Sequence, residues 1–309
     1  MLPCFLNENR ELDPLACLKM MAADGWYIYT GGDGDVIPRN VTRVRIHESL
    51  TVIPARAFEW NKSIVELKCH DRVKTVEEFA FRDCPSLRRV IMRGIKVVEG
   101  CAFCGCEVLT YVECGKLERI GCEAFQFCES LTSTILPSTK IVEIGAFAGC
   151  TDLTNIEFGK KLDSIDLCAF DGCTSLERIT IPLIDGIITR DSIFRGCENL
   201  KHVDLVEGGG VRETIAALLL EEWKNDMNEE INSINEILPN TPAGDDFNVG
   251  EKAQVMRMWI RAVLHKIIHY KAEHQRYLNE AASALQLALP QDIVIKNVRP
   301  FLELPNIAA

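Results

Sequence analysis

Nowhere in the 309 residues does an apolar run approach the roughly 18 uncharged residues a membrane helix needs, so no transmembrane helix is expected. The start is no better suited to export. Met1 to Leu18 carries Asn7, Glu8, Asn9, Arg10, Glu11 and Asp13, and lacks the basic opening and apolar core of a signal peptide. The expected location is intracellular and cytoplasmic. No Ser/His/Asp set, phosphate loop or pair of catalytic acids stands out, so neither enzyme activity nor a cofactor is expected. Surplus positive charge is also missing. A net charge of −11 argues against general nucleic-acid binding.

Metal-ligand patterns are present only in fragments. Asp33-Gly34-Asp35 has no Glu at the twelfth position of a calcium loop. Cys101-x-x-Cys104 followed by Cys106 is half a zinc site, with no second Cys or His pair at zinc-finger spacing. His265 and His269 share a helical face, but Lys266, Ile267 and Ile268 stand between them where a metalloprotease helix carries Glu. No metal is expected at any of the three.

Cysteine itself is plentiful, at 14 residues, and its placement is regular. A phrase of Ala-Phe, a Cys three residues on and a Leu three further recurs seven times, at Phe58, Phe81, Phe103, Phe125, Phe147, Phe170 and Phe194. Cys84, Cys106, Cys128, Cys150, Cys173 and Cys197 fill the Cys position, with Asn61 in the first copy. Nine and eleven residues after each Phe come apolar pairs such as Leu67 and Cys69, or Ile179 and Ile181; Thr134 is the polar exception. A period in the low twenties marks a solenoid, whose copies bury their apolar faces only against one another. Positions two apart on a strand share a side, so the pairs point inward and their neighbours outward. Six Cys on one inward position read as packing and as donors to the adjoining turn. Parallel strands about 4.8 Å apart would permit bridges, which a reducing compartment prevents.

The phrase Ile120-Gly121-Cys122-Glu123-Ala124-Phe125-Gln126-Phe127-Cys128-Glu129-Ser130-Leu131 resembles the BspA-like leucine-rich repeat family over about residues 36–206. The resemblance implies an α/β leucine-rich repeat solenoid, an arc whose parallel concave sheet of about eight strands is left open. It also implies protein binding, and many relatives stand on cell surfaces. Residues 1–35 read as an N-terminal cap, with a helix over Asn9–Ala23, a strand over Trp26–Thr30 and a glycine turn after it. Residues 207–309 read as a C-terminal helical region. It comprises a hairpin over 211–289, from one helix over Val211–Leu238 and another over Val249–Leu289, and a short tail helix.

Charge is uneven. Residues 36–93 hold 12 Lys and Arg against 7 Asp and Glu; residues 94–206 hold 10 against 17. The outward positions of the first strands collect Arg43, Arg45, His47, Lys68, His70, Arg89 and Arg93, beside Tyr111 and Glu113. These nine residues form the candidate contact patch for a protein partner, one that is acidic or phosphorylated and docks against the Arg forks. The same row includes Glu66, so a solvated, partly balanced face is the alternative.

Two other functions are open. The tail Leu289-Pro290-Gln291-Asp292-Ile293, ending in Phe301-Leu302, is similar to the opening of an F-box, which implies a substrate adaptor of a ubiquitin ligase. It departs from that family in following the repeats and in stopping short. The basic strands also suit an anionic polymer.

Overall fold

A computed structural model describes residues 22, 24–31, 37–38, 40–206, 211–245 and 251–288, and only the backbone of 285–288. The helix expected before Ala22, the glycine turn over 32–35 and the F-box-like tail lie outside the described residues.

The repeats build two parallel sheets from one winding chain. The principal sheet takes β1 (Tyr27–Tyr29), β2 (Arg43–Ile46), β4 (Glu66–Lys68), β6 (Arg89–Ile91) and β8 (Tyr111–Glu113), then β10 (Ser133–Leu136), β12 (Asn155–Phe158), β14 (Arg178–Ile181) and β15 (His202–Leu205). The second sheet takes two-residue strands: β3 (Val52–Ile53), β5 (Thr75–Val76), β7 (Val97–Val98), β9 (Arg119–Ile120), β11 (Ile141–Val142) and β13 (Ser164–Ile165). Most inward β-branched residues are buried, as in Val44 and Ile46 of β2, whereas Val112 of β8 is half-buried.

Two points correct the expected sheet. It has nine strands rather than eight, because β1 pairs in parallel with β2, placing Tyr27 beside Val44. It also falls into a five-stranded and a four-stranded piece, parted between β8 and β10. The parting coincides with Thr134, the polar residue in the inward row. The second sheet runs across it unbroken through β9 and β11.

The phenylalanines stack into one column. Ring centroids are 4.6 Å apart between Phe58 and Phe81 and widen step by step to 5.7 Å between Phe170 and Phe194, with planes within 6° of parallel. Tyr29 closes the column's upper end, 4.7 Å from Phe58. Beside the column runs the thiol ladder: Cys84, Cys106, Cys128, Cys150, Cys173 and Cys197 each donate to the carbonyl of the preceding repeat's Phe, at 3.0–3.3 Å. Asn61 instead accepts from the Ser63 and Ile64 amides of its own turn. All the described cysteines are free thiols.

Main-chain bonds join the turns as well. Phe103 N–H donates to Ala124 O, and Gly105 N–H to Gln126 O, each at 2.8 Å, and the same pair of bonds recurs down the solenoid. Residues two before and two after the Phe take left-handed φ, except Ser192 in the last repeat. At Gly149 this suits glycine twice over, since a Cβ there would lie 2.5 Å from the Phe127 ring. Eight other positive-φ positions carry side chains, Cys101 and Glu123 among them.

After β15 come α1 (Val211–Ala216), α2 (Glu221–Ile237) and α3 (Lys252–Ala288). The single helix expected over Val211–Leu238 is thus two, interrupted at 217–220. The helices close the solenoid by imitating the repeat that is not there. The Asn235 side-chain amide takes the place of a strand: its Oδ1 accepts from Val203 N–H at 2.8 Å and its Nδ2 donates to Val203 O at 3.5 Å. Gly244 O receives Gly196 N–H at 3.1 Å, the bond the next Ala-Phe turn would have made. Lys252, 1% exposed, donates to Leu200 O at 2.6 Å and to Glu198 O and Leu238 O at 3.3 Å. Arg261 pairs with Asp185 at 3.0 Å, and Arg257 with Asp191. Within the helices, Trp223 stacks on Tyr270 at 5.3 Å and Trp259 Nε1 donates to Glu230 O. No helix among the described residues is long and apolar enough to cross a membrane.

Asn235→Ala strands the Val203 amide, and Lys252→Met strands three carbonyls. Each is expected to cost about 1–3 kcal/mol, read as a lower urea midpoint, with helices and solenoid unfolding together. On the second sheet, Lys140 and Lys96 clamp the Glu118 carboxylate and hold its pKa at about 2, below the usual 4.5. Its folded pKa is depressed, so its contribution is complete above pH 4.5 and is lost as the pH falls toward 2. Glu118→Gln should therefore flatten the urea midpoint against pH across that window.

Candidate interaction surface

The outward faces of β1, β2, β4, β6 and β8 form a surface on which two rows of side chains run across the strands. The first row is Arg43, Glu66, Arg89 and Tyr111; the second is Arg45, Lys68, Ile91 and Glu113. His47, His70 and Arg93 stand just beyond the strand ends, where His70 Nε2 lies 3.0 Å from His47 O. All nine candidate residues are thus placed along one edge-to-edge stretch of sheet.

The cations are not a bare basic patch. Glu66 lies between two arginines, 3.4 Å from Arg43 Nε and 3.6 Å from Arg89 Nε. Arg45 meets Asp24 at 2.9 Å. Arg93 grips Glu113, holding that carboxyl below its usual value, while the carboxylate raises the arginine. Five cations thus face three carboxylates. Lys68 is exposed and has no ion-pair or hydrogen-bond partner among the described residues. The Glu66 pairs follow from the parallel register, which sets Arg43, Glu66 and Arg89 one strand spacing apart.

Aromatic rings hold the guanidiniums in place. Arg43 and Arg45 lie over Trp26, at 4.3 and 5.2 Å from the ring centroid, and Arg89 lies over Tyr111 at 4.3 Å. Trp26 and Asp24 were missing from the candidate set. They belong to the N-terminal cap, and no repeat pattern in the sequence carries them to this face. Three apolar side chains share this side of the repeats: exposed Tyr111 beside Arg89, half-buried Ile91 beside Glu113, and, across the parting on β10, Ile135, 60% exposed. The later strands are sparser, with Arg178 paired to Asp204.

The metal-like fragments take other roles. Cys106 is a ladder thiol donating to Phe81 O. Cys104 is half-buried rather than plainly solvent-facing, with Sγ 3.6 Å from Gln126 Oε1. His265 and His269 are exposed on α3. Among the described residues, no three His, Cys, Asp or Glu are placed to hold a metal ion.

Glu66→Gln removes the one carboxylate shared by Arg43 and Arg89. Exposed pairs are worth at most about 1 kcal/mol, so the urea midpoint should barely move, while retention on a sulfonate column rises. A large fall in stability would show that the pairing organises the sheet.

A family description, BspA type leucine rich repeat region, matches this chain in six copies over residues 38–141 and 118–215. No curated protein matches the sequence. Among solved structures, a leucine rich cell surface protein from Faecalibacterium prausnitzii is 21% identical, with 53% of this chain and 60% of that one covered and a TM-score of 0.28. A leucine rich repeat protein of T. pallidum is 19% identical over 60% and 77%, with a TM-score of 0.38. One from Bacteroides ovatus is 23% identical over 51% and 64%, with a TM-score of 0.30. The match thus spans less than two thirds of the first and third of these proteins.

Proposed function

The chain belongs to the BspA type leucine-rich repeat family, and from that premise we propose that it is a non-enzymatic module that binds a protein partner on its principal sheet. Proteins built from leucine-rich repeats generally serve protein–protein interaction, and the solvent-facing sheet here has the composition such contacts use. The observation that carries the reading is the exposed Tyr111 ring with Arg89 lying over it, beside Ile91 and Glu113 and followed on β10 by the exposed Ile135. Interface energy concentrates in Tyr, Trp and Arg at a centre that a polar rim shields from water. Ring-stacked arginines lose little freedom on docking, and their remaining donors suit a carboxylate or phosphate. The partner is therefore a protein with an acidic or phosphorylated segment beside an apolar anchor. A cytoplasmic, reducing location suits a ladder of six thiols, each used as a hydrogen-bond donor.

The decisive comparison is a pull-down from cell extract with the wild type and with Arg45→Glu/Lys68→Glu/Arg89→Glu, after equal melting has been checked. A protein captured by the wild type and lost from the variant supports this surface. An unchanged set of captured proteins sinks it and moves the search to the helices. Tyr111→Ala/Ile135→Ala should lose the same protein by a faster off-rate, since truncated anchors cost about 2 kcal/mol or more. Deleting residues 290–309 leaves that partner in place, whereas a ubiquitin-ligase adaptor would shed its ligase. Binding to an anionic polymer would instead fade steeply with salt.

A further inference from the structure

Two rows of side chains flank the Phe of every repeat, one two residues before it and one a single residue after. They face each other across the turn. In the first repeat Arg56 and Glu59 occupy the rows and form an ion pair at 2.8 Å. In the second, the Arg82 guanidinium lies over the Phe79 ring, 5.4 Å from its centroid. The third repeat puts Cys101 and Cys104 in these same places.

The turn between them is closed by Cys104 N–H donating to Cys101 O at 3.2 Å. Such a four-residue turn holds its end Cα atoms within about 7 Å, against about 4.4–6.8 Å for a disulfide. The two thiols also run the same way. Cys101 Sγ lies 3.4 Å from Glu123 Oε2 and Cys104 Sγ 3.6 Å from Gln126 Oε1, the residues of the same two rows one repeat on. Both are half-exposed, unlike the six ladder thiols, which are buried and committed to carbonyls.

A second observation concerns Arg82, the neighbour of Cys104 in its row. Its guanidinium, whose Nε pairs with Asp83 Oδ2 at 3.3 Å, stands close enough to Cys104 to act on it as a positive charge. A positive charge beside a thiol favours its thiolate.

We propose that Cys101 and Cys104 form a redox-active dithiol that reduces a low-molecular-weight disulfide of the glutathione class and closes to a disulfide within the turn. The Cys104 thiolate attacks one sulfur of the external disulfide, forming a mixed disulfide and expelling one thiolate. The Cys101 thiolate then attacks the Cys104 sulfur, forming the internal bond and expelling the second. Two electrons leave the dithiol, and its two protons end on the two released thiols. The order follows from the surroundings. Burial, then the Glu123 carboxylate, pushes Cys101 up to about 12. Burial also raises Cys104; the Arg82 guanidinium and the Cys101 thiol act against it, while the Asp83 and Glu123 carboxylates add to it. Closure therefore accelerates as the pH rises.

The test incubates the native full-length chain with glutathione disulfide at mildly alkaline pH, quenches with acid, alkylates the remaining thiols and maps the peptides by mass. The expected product is a Cys101–Cys104 bridge, lost on adding dithiothreitol. Cys101→Ser should trap glutathione on Cys104, and Cys104→Ser should give neither bridge nor adduct at residue 101. Arg82→Gln keeps both thiols and should slow closure, which guards against serine variants that fold poorly. The proposal is overturned if Cys101 pairs with Cys122 instead, if the bridge forms only in urea, or if Arg82→Gln closes at the wild-type rate.

Discussion

Every turn of this solenoid makes main-chain donors that only the following turn can accept. Phe103 N–H needs Ala124 O, and Gly105 N–H needs Gln126 O. A buried amide without a partner is costly enough that this one constraint dictates much of the molecule. It fixes the period, because the donor and acceptor recur at the same place in each copy. It explains why the Ala before the Phe is small and buried, leaving the backbones free to approach. It also demands an ending, and the ending is supplied by Gly244, Asn235 and Lys252, which present carbonyl, amide and ammonium groups where another repeat would have presented backbone.

That dependence also explains what could be read from the sequence. The Phe column, the thiol ladder and the inward apolar pairs were legible because each inward position is nearly sealed from water and tolerates few residue types; Phe81, Cys84 and Leu87 are all 0% exposed. The second sheet carried a weaker signal. Ile53, Val76, Val98, Ile120, Val142 and Ile165 recur five residues before the Phe, but two-residue strands have no alternation to recognise. The caps were hidden for a different reason. Nothing near Asn235 or Lys252 in sequence marks them, since their partners are Val203 and Leu200, more than thirty and fifty residues away. The break at 217–220 escaped because Leu218 and Leu219 continue a helical apolar pattern through it.

The same holds for the candidate surface. Alternation along a strand gave the nine residues their outward side, but not their company. Glu66 was visible as a neighbour of the arginines, whereas Asp24 and Trp26 arrive from a cap whose first strand joins the sheet in parallel. The result is a surface of ordered, largely compensated charge. Its field is weaker than a count of arginines suggests, and its geometry is firmer. On the proposed reading, such a face would discriminate by the placement of its forks and rings more than by bulk attraction.

The C-terminal closure has a consequence for the length of the molecule. Asn235, Gly244 and Lys252 reach the last turn almost entirely through main-chain atoms, which are the same in every turn. The lid's side-chain contacts, Arg257 with Asp191 and Arg261 with Asp185, also stop at the last winding, so the lid does not register how many turns lie beneath it. Whole periods can be added or removed between the two ends without redesigning either terminus, while a fractional insertion presents the lid with side chains where it expects amides. Repeat number is thus a free variable of this architecture, and repeat phase is not.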